Sequence, residues 1–244
     1  MIRTLWFYLV LVGSTLLHAT AAIVAALLGV KHRAGGVYDW STNDWSRAIL
    51  RAAGTPVRVE GMERIPRDGP VVYASNHSSM FDIWALAATL PGSTRFVGKE
   101  ELERIPLLGR AMLAAGHITI DRAVKKRAFE AYDKAARTIR RGFSAVVFPE
   151  GTRSRTGELL PFKNAPFALA IAAQVPLVPV YVHSTFQILP KGGFRLRPRP
   201  IRILVGEAIA TAGMTPQDRE RLRDRTRAAI LALKTRVDAG AAAP

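Results

Sequence analysis

The chain has 244 residues, 49% of them hydrophobic and 22% charged, which suits one packed domain and excludes wholesale disorder. It contains no cysteine, so disulfide scaffolds, thiolate metal sites and cysteine nucleophiles are excluded. The formal net charge of +16 at pH 7 favours anionic partners, either nucleic acid, acidic protein or anionic lipid. The sequence has no zinc-finger spacing, basic zipper or aromatic RNA-binding motif that would favour nucleic acid.

The N-terminal segment is apolar enough to enter a membrane. Residues Thr4 to Val30 include no Asp, Glu, Lys or Arg, and a membrane-spanning helix needs about 20 such residues. A retained signal anchor and a re-entrant pair of short helices, bent near Gly13–Ser14 or His18, both fit this pattern. A cleaved signal peptide fits less well, because its apolar stretch should be shorter and its start more basic. Residues 1–33 are therefore predicted to form a membrane anchor.

Beyond the anchor, short apolar runs alternate with helical patterns. Residues 34–54 are predicted as a linker and a helix over 41–54, with Ser41 or Thr42 as its N-cap. Strands are predicted at 56–60, 70–75, 94–99, 117–120, 143–148, 175–182 and 201–206, and helices at 82–90, 100–113, 124–141 and 164–174. This alternation predicts a single α/β domain over 55–213, with a largely central mixed sheet flanked by helices. A C-terminal amphipathic helix and tail are predicted over 214–244, starting at a capping pattern of Thr215 and Asp218.

A polar stretch follows the second predicted strand. Residues 73–84 are YASNHSSMFDIW, so His77 and Asp82 lie between a strand end and a helix start, where open α/β sheets bind ligands. A histidine can take a proton from a hydroxyl near neutral pH, and a carboxylate on its other nitrogen fixes the tautomer. Alternatively, Asp82 only caps the helix and His77 is an ordinary loop residue. This stretch by itself leaves both interpretations open.

Basic residues follow three other predicted strands. Lys99 ends the strand at 94–99, Arg122 follows the strand at 117–120, and Arg153 follows the strand at 143–148. The planar guanidinium of Arg153 suits phosphate recognition, and Gly151 lets a ligand approach the backbone closely. The alternative is an ordinary charged turn in which Glu150 pairs with Arg153.

Four sequence blocks occur in a fixed order. They are NHSSMFD, GKEELERIPLLGR with HITIDR, FPEGTRS, and VPLVPV. Together, over about residues 55–210, they resemble the four blocks of the glycerolipid acyltransferase family. The first block is weak alone, and the set of four is specific. One departure is Asn164, where family members often have a second basic residue or a glycine after the Phe-Lys pair, which leaves the role of Lys163 open.

The resemblance implies a membrane-bound enzyme with a defined reaction. It would move a fatty acyl group from an acyl thioester, carried by acyl carrier protein or coenzyme A, to the sn-2 hydroxyl of 1-acyl-sn-glycerol-3-phosphate, giving phosphatidic acid. His77 would be the general base and Asp82 its orienter. The residues implied in acceptor binding are Lys99, Arg122, Glu150, Gly151, Thr152 and Arg153. No bound cofactor or metal is implied, because the acyl donor is itself a substrate.

Other functions remain open at this point. The same chemistry could act on glycerol-3-phosphate, another lysophospholipid or a lyso-aminolipid, and a remoter alternative is a non-catalytic protein that binds anionic membranes or nucleic acid. The leading hypothesis expects membrane lipids, lysophosphatidic acid and the acyl donor as partners, and no nucleic acid. The basic residues that follow the apolar segment favour a cytoplasmic position for the main domain. The expected location is the inner membrane of a bacterium.

Overall fold

The computed structural model describes residues 1–120 and 125–241, and within these ranges seven strands form one sheet. The strands are β1 (Val57–Glu60), β2 (Val72–Ser75), β3 (Thr94–Lys99), β4 (Ile118–Ile120), β5 (Ser144–Val147), β6 (Leu177–His183) and β7 (Ile201–Val205). Their spatial order is β1-β7-β6-β2-β5-β3-β4. Strands β2 to β6 run parallel, whereas β7 pairs antiparallel with β6 and parallel with β1. The predicted mixed sheet and its seven strands are confirmed.

Helices cover both faces of the sheet. They are α1 (Ile2–Leu27), α2 (Val37–Ala53), α3 (Phe81–Thr89), α4 (Leu108–Ala114), α5 (Lys125–Arg140), α6 (Ala165–Ala173), α7 (Thr185–Ile188) and α8 (Arg219–Ala241). Along β2, Val72 and Ala74 pack with α5, α6 and α8, whereas Tyr73 packs with α1, α2 and α3. Successive strand residues point to opposite faces, so both faces are apolar. Every residue of β2 and β5 is buried, as expected for parallel strands at the centre of a sheet.

The N-terminal apolar segment forms one unbroken helix. α1 has 26 residues and shows no break at Gly13 or His18. It lies along α2, where the indole N–H of Trp45 donates to the hydroxyl of Thr15 at 2.9 Å and His18 Nε2 lies 3.2 Å from Asp44 Oδ2. By length and composition α1 could cross a membrane. In this structure α1 and α2 form a two-helix unit packed on the domain.

The start of α2 differs from the prediction. The helix begins earlier and its N-cap is Gly36. The predicted caps Ser41 and Thr42 lie inside the helix, where both hydroxyls donate to the carbonyl of Tyr38. Serine and threonine can make such bonds within a helix as well as cap one. The chain instead turns at Gly35, whose φ is +70°, a conformation that glycine adopts without strain.

The single helix predicted over 100–113 is also wrong. A short 3-10 helix spans Glu100–Arg104, and α4 starts only at Leu108. Pro106 separates them, because proline lacks an N–H and disfavours helical backbone in the residue before it. Ile105 is accordingly extended, with φ −72° and ψ 118°. The break brings α4 against α1 and next to the end of β3.

The C-terminal helix follows the predicted pattern. Thr215 and Asp218 form a capping box at its start. The inward face of α8 contains the predicted apolar residues Leu222, Ile230, Leu233 and Val237, all buried. This face covers the sheet beside β6, and α8 therefore closes the face of the domain opposite α1 to α3.

Candidate active site

Three loops meet at one edge of the sheet. Strands β2, β5 and β3 are neighbours and run parallel, so their carboxyl ends lie side by side. The loop after β2 contains His77, the loop after β5 contains Glu150 to Arg153, and β3 ends at Lys99. This is the edge at which parallel α/β sheets bind ligands. The structure therefore brings the predicted site residues of these three segments to one place.

Asp82 lies at the centre of a hydrogen-bond network. Its side chain is fully buried in the first turn of α3. One oxygen, Oδ2, accepts the backbone N–H of Ser78 at 2.7 Å and that of Ser79 at 2.8 Å. The other oxygen, Oδ1, accepts the hydroxyl of Thr185. Asp82 does not cap α3, whose N-cap is Met80; it holds the loop that precedes the helix, and it is also bonded to His77.

His77 is held with one nitrogen on Asp82. Its Nδ1 lies 2.8 Å from Asp82 Oδ2. Because that oxygen accepts hydrogen bonds from two backbone N–H groups, the bond from His77 requires the proton on Nδ1. Nε2 then carries the lone pair. The ring stacks on Phe148 with centroids 4.0 Å apart, and 13% of the side chain is exposed, so Nε2 is oriented and reachable.

Two polar residues hold the His77 loop in place. The side chain of Asn76 donates to the carbonyl of Val182 at 2.9 Å and accepts its N–H at 2.7 Å, which extends the β2–β6 pairing beyond the strand. Thr185, at the start of α7, bonds to Asp82 and lies 3.1 Å from the hydroxyl of Ser78. The sequence pattern did not indicate Thr185, because it lies a hundred residues away in the chain.

Glu150 is buried with its carboxylate turned inward. One oxygen accepts the backbone N–H of His77 at 2.7 Å, and the other accepts that of Leu160 at 2.9 Å. It makes no ion pair with Arg153 that would match an ordinary charged turn. Glu150 is one of the residues expected to bind the acceptor. In the structure its carboxylate accepts two backbone N–H groups and so joins the loop after β2 to the loop after β5.

Burial raises the pKa of the Glu150 carboxyl to about 7, against the opposing effect of its two backbone hydrogen bonds. Between pH 4.5 and about 7, the folded chain holds a proton on Glu150 that the unfolded chain releases. The free energy of unfolding contributed by this group therefore falls as pH rises through that window, by roughly 2–4 kcal/mol.

We expect Glu150→Gln to remove this pH dependence, because glutamine does not titrate. The measurement is thermal unfolding in detergent at about pH 4.5 and about pH 7.5. The unmodified chain should lose more stability between the two conditions than the variant does. Glu158→Gln is the matched control, since Glu158 is exposed on the same loop. Equal losses in Glu150→Gln and the unmodified chain would contradict the assignment.

A cavity of about 270 Å³ opens beside His77. Its polar lining comes from His77, Lys99, Thr152, Arg153 and Lys191, and its apolar lining includes Trp45, Met80, Ile83, Phe96, Leu102, Met112 and Phe148. The predicted residue Gly151 also lines it. Arg122 lies outside the described residues. The cavity thus joins a cationic end beside the His77–Asp82 pair to an apolar groove among α2, α3 and α4.

Gly151 occupies a position where any other residue would be strained. Its φ is +72°, and an added Cβ would lie 3.0 Å from the side chain of Lys163. Lys163 therefore packs over the glycine, and it is not among the residues that line the cavity. The tight turn lets the following residues, Thr152 and Arg153, present their side chains to the cavity.

Lys191 is a cation that sequence reasoning missed. It belongs to the loop before β7, and its ammonium donates to the hydroxyl of Thr152 at 3.2 Å. The only signal for it was the general excess of positive charge in this part of the chain. Its distance in sequence from the FPEGTRS block concealed its place in the cavity.

His117 lines the apolar end of the cavity without adding charge. Its Nδ1 accepts the backbone N–H of Phe96 at 3.1 Å. Burial and the nearby positive charge of Arg95 lower the pKa of His117 to about 3. A neutral imidazole at this position keeps the far end of the groove suited to an apolar ligand. Within the described ranges, no group of three or more His, Asp or Glu side chains is placed to hold a metal ion.

Known proteins match both the sequence and the fold. Residues 56–183, just over half the chain, match the family described as Acyltransferase. A 1-acyl-sn-glycerol-3-phosphate acyltransferase of Cocos nucifera is 33% identical over 73% of this chain and 57% of its own length. That of Saccharomyces cerevisiae is 32% identical over 88% of this chain and 70% of its own length. The chain spans little more than half the length of the plant relatives it matches.

A solved structure has the same architecture. The crystal structure of the 1-acyl-sn-glycerophosphate acyltransferase of Thermotoga maritima aligns with a TM-score of 0.79 and 25% identity, covering 96% of this chain and 94% of that one. The resemblance expected from the four sequence blocks is confirmed, as is the fold that it implied. The chain belongs to the glycerolipid acyltransferase family.

Proposed function

We propose that this chain transfers a fatty acyl group from an acyl thioester to the sn-2 hydroxyl of 1-acyl-sn-glycerol-3-phosphate, forming phosphatidic acid. The observation that carries the proposal is the His77–Asp82 pair, whose free nitrogen borders a cavity with cations at one end and apolar walls at the other. The relatives at 32–36% identity that bear this activity in their names support the choice of acceptor.

The catalytic step uses His77 as a general base. Nε2 takes the proton of the acceptor hydroxyl while its oxygen attacks the carbonyl carbon of the thioester. The tetrahedral intermediate then collapses, the carbon–sulfur bond breaks, and the imidazolium returns the proton to the thiolate. Asp82 holds the imidazole in the required tautomer and stabilises its positive charge. The acyl group passes directly from sulfur to oxygen, and the chain itself remains unmodified.

The cationic end of the cavity suits a phosphate monoester. Arg153 offers a planar fork of N–H donors, and Lys99 and Lys191 add two compact charges. A phosphate held there would place the free sn-2 hydroxyl near His77, because all four side chains line the same cavity. Glu150 supports this end indirectly, through its hydrogen bonds to the two loops. Arg122 remains a predicted contributor.

The apolar groove suits an acyl chain, and α1 suits a bilayer. Phe96, Leu102 and Met112 give the groove walls without charge. Both the acceptor and the product partition into membranes. A site beside an apolar helix would therefore lie close to the bilayer from which the acceptor comes and to which the product returns. The net charge of +16 attracts anionic headgroups and also an acidic acyl carrier protein. We propose that the chain acts at the cytoplasmic side of the inner membrane of a bacterium.

Arg153→Ala tests the acceptor assignment. We expect the KM for the phosphorylated acceptor to rise about 10- to 100-fold, because a hydrogen bond to a charged group is worth about 1.5–3 kcal/mol. The measurement is initial-rate kinetics in detergent with one acyl-thioester donor and a panel of acceptors, including the matching monoacylglycerol that lacks phosphate. For that neutral acceptor the variant and the unmodified chain should behave alike.

Arg155→Ala is the matched control for this panel, since Arg155 is exposed two residues further on and does not line the cavity. Equal rates with and without the acceptor phosphate in the unmodified chain would remove the proposed phosphate site. Higher kcat/KM with glycerol-3-phosphate or another lysophospholipid would replace the acceptor while keeping the chemistry. Parallel assays with coenzyme A and carrier-protein thioesters would identify the donor.

A further inference from the structure

The loop between α7 and β7 carries concentrated positive charge. We call residues 190–200, PKGGFRLRPRP, the mouth loop. It contains Lys191, Arg195, Arg197 and Arg199, all exposed. The sequence has no Asp or Glu between Glu158 and Glu207, so no acidic residue in this stretch neutralises the loop. Such a surface attracts an anionic partner.

The tip of the mouth loop is an exposed aromatic residue. Phe194 is 77% exposed and follows a turn in which the N–H of Gly193 donates to the carbonyl of Pro190 at 2.9 Å. The base of the loop is fixed, because Leu196 is buried in the core and the N–H of Arg197 donates to the carbonyl of Ile188 at 3.0 Å. Phe194 is thus held away from the core by the fold.

The mouth loop continues the apolar face of α1. The hydroxyl of Tyr8 donates to the carbonyl of Phe194 at 3.0 Å. On the same helix Leu5, Trp6 and Leu9 are 64%, 56% and 60% exposed. Exposed apolar surface of this extent marks a membrane or protein contact, and aromatic side chains beside basic ones favour the membrane interface. This continuity favours a lipid bilayer over a soluble acidic protein as the partner.

The mouth loop also borders the catalytic cavity. Lys191, near its start, lines the cavity with His77 and bonds to Thr152. A bilayer that contacts the tip of the loop would therefore lie beside the cationic end of the cavity, where the proposed acceptor phosphate binds.

We propose that the mouth loop docks on the headgroup layer of an anionic bilayer, with Phe194 inserted below the phosphates and the arginines bound to them. If the loop docks in this way, the acceptor is taken directly from the bilayer, and this consequence for catalysis rests on the proposed function. The docking itself is independent of it. The arginine contacts make the docking selective for anionic lipid, and the insertion of Phe194 sets how deeply the loop enters the bilayer.

The absence of cysteine from the chain allows a direct test. Phe194→Cys in the full chain is labelled with an environment-sensitive fluorophore and reconstituted into vesicles of phosphatidylcholine, with or without about one third phosphatidylglycerol. We expect a blue-shifted emission that lipid-borne quenchers reduce, and a larger effect with phosphatidylglycerol. Leu9→Cys on α1 serves as the positive control, and Gln217→Cys, exposed at the start of α8, as the negative control. A fully aqueous spectrum at position 194 in both vesicles would overturn the proposal.

Enzyme kinetics test whether the acceptor is taken directly from the bilayer. With acceptor presented in anionic vesicles, Phe194→Asp and the combined change of Arg195, Arg197 and Arg199 to Gln should each raise the apparent KM about tenfold or more. With a short-chain acceptor dissolved as a monomer, both should match the unmodified chain. A loss seen only with carrier-protein thioester donors, in any acceptor form, would show a protein-docking loop and overturn the bilayer assignment. If the unmodified chain transfers no acyl group to any acceptor, the proposed function fails, whereas the fluorescence result still decides the docking.

Discussion

His77→Ala is expected to reduce acyl transfer about 100- to 10,000-fold, the usual contribution of a positioned general base. The loss should appear in kcat, because the imidazole acts on the hydroxyl proton during the reaction and the acceptor phosphate is bound elsewhere in the cavity. The fold should survive. The alanine forfeits one hydrogen bond to a carboxylate, worth about 1.5–3 kcal/mol, while the other donors to Asp82 remain. Initial rates and thermal unfolding in the same detergent measure both quantities.

His183→Ala is the matched control for this experiment. His183 also ends a strand near this edge of the sheet, but its charged neighbours are Asp238 and Lys234 of α8 and Arg202 of β7, and it does not line the cavity. Its replacement should leave kcat near that of the unmodified chain. Full activity in His77→Ala would eliminate the mechanism. Equal losses in both variants, together with lowered unfolding temperatures, would indicate a structural cause.

Asp82→Asn is expected to be nearly as damaging as the loss of His77, for a different reason. The asparagine carbonyl can take the place of Oδ2 and accept the backbone N–H groups of Ser78 and Ser79 and the ring N–H of His77. Its amide can donate to the hydroxyl of Thr185. The geometry is thus conserved and the negative charge is lost. Without that charge the imidazolium formed during the reaction is less stable, so we expect kcat to fall about 100-fold or more.

Thr185→Val separates charge from position at the same site. The valine leaves Asp82 charged but removes the hydroxyl that donates to Oδ1, so the carboxylate loses one anchor. We expect a smaller loss of kcat, about tenfold. The unfolding temperature should drop clearly, because Thr185 is buried and a lost buried hydrogen bond is costly. Asp82→Asn should show the reverse pattern, with kcat falling more than stability. If Asp82→Asn lowers stability alone, Asp82 only holds the loop before α3 and has no part in orienting the base.

The surrounding structure explains how so short a motif, His77 to Asp82, is held in the geometry that the proposed reaction needs. The loop after β2 is fixed at one end by the pairing of Asn76 with Val182 and at the other by the burial of Asp82 in α3. Glu150 ties the middle of that loop to the loop after β5 through the N–H of His77. The base is consequently positioned before any substrate binds, which lowers the cost of reaching the reactive geometry.

The strand pattern and the contact between His77 and Asp82 could be predicted from the sequence because both depend on local information. A central parallel strand is buried on both faces and therefore reads as a run of apolar residues, as in residues 145–147 of β5, and this pattern is visible whatever its partners are. His77 and Asp82 lie five residues apart on one loop, so their contact needs only a turn. The capping box of Thr215 and Asp218 was predictable for the same reason.

Some local signals were present but ambiguous. Ser41 and Thr42 have the composition of an N-cap, yet hydroxyls can also bond within a helix, and the turn at Gly35 and Gly36 decided where α2 begins. Pro106 indicates a break in any helix over 100–113. The amphipathic pattern on both sides of it favours one continuous helix, and the prediction followed that pattern.

Tertiary structure alone decided the features that depend on contacts between distant segments. Thr185 reaches Asp82 because α7 packs against α3, and Lys191 reaches Thr152 because the mouth loop folds back over the carboxyl edge of the sheet. The two backbone N–H groups that Glu150 accepts belong to segments far apart in the chain, so only the fold could bring them to its buried carboxylate. Sequence alone indicated which side chains are suited to the proposed chemistry. Their orientation came from packing, because a buried polar group must bond to whatever donor the fold brings to it.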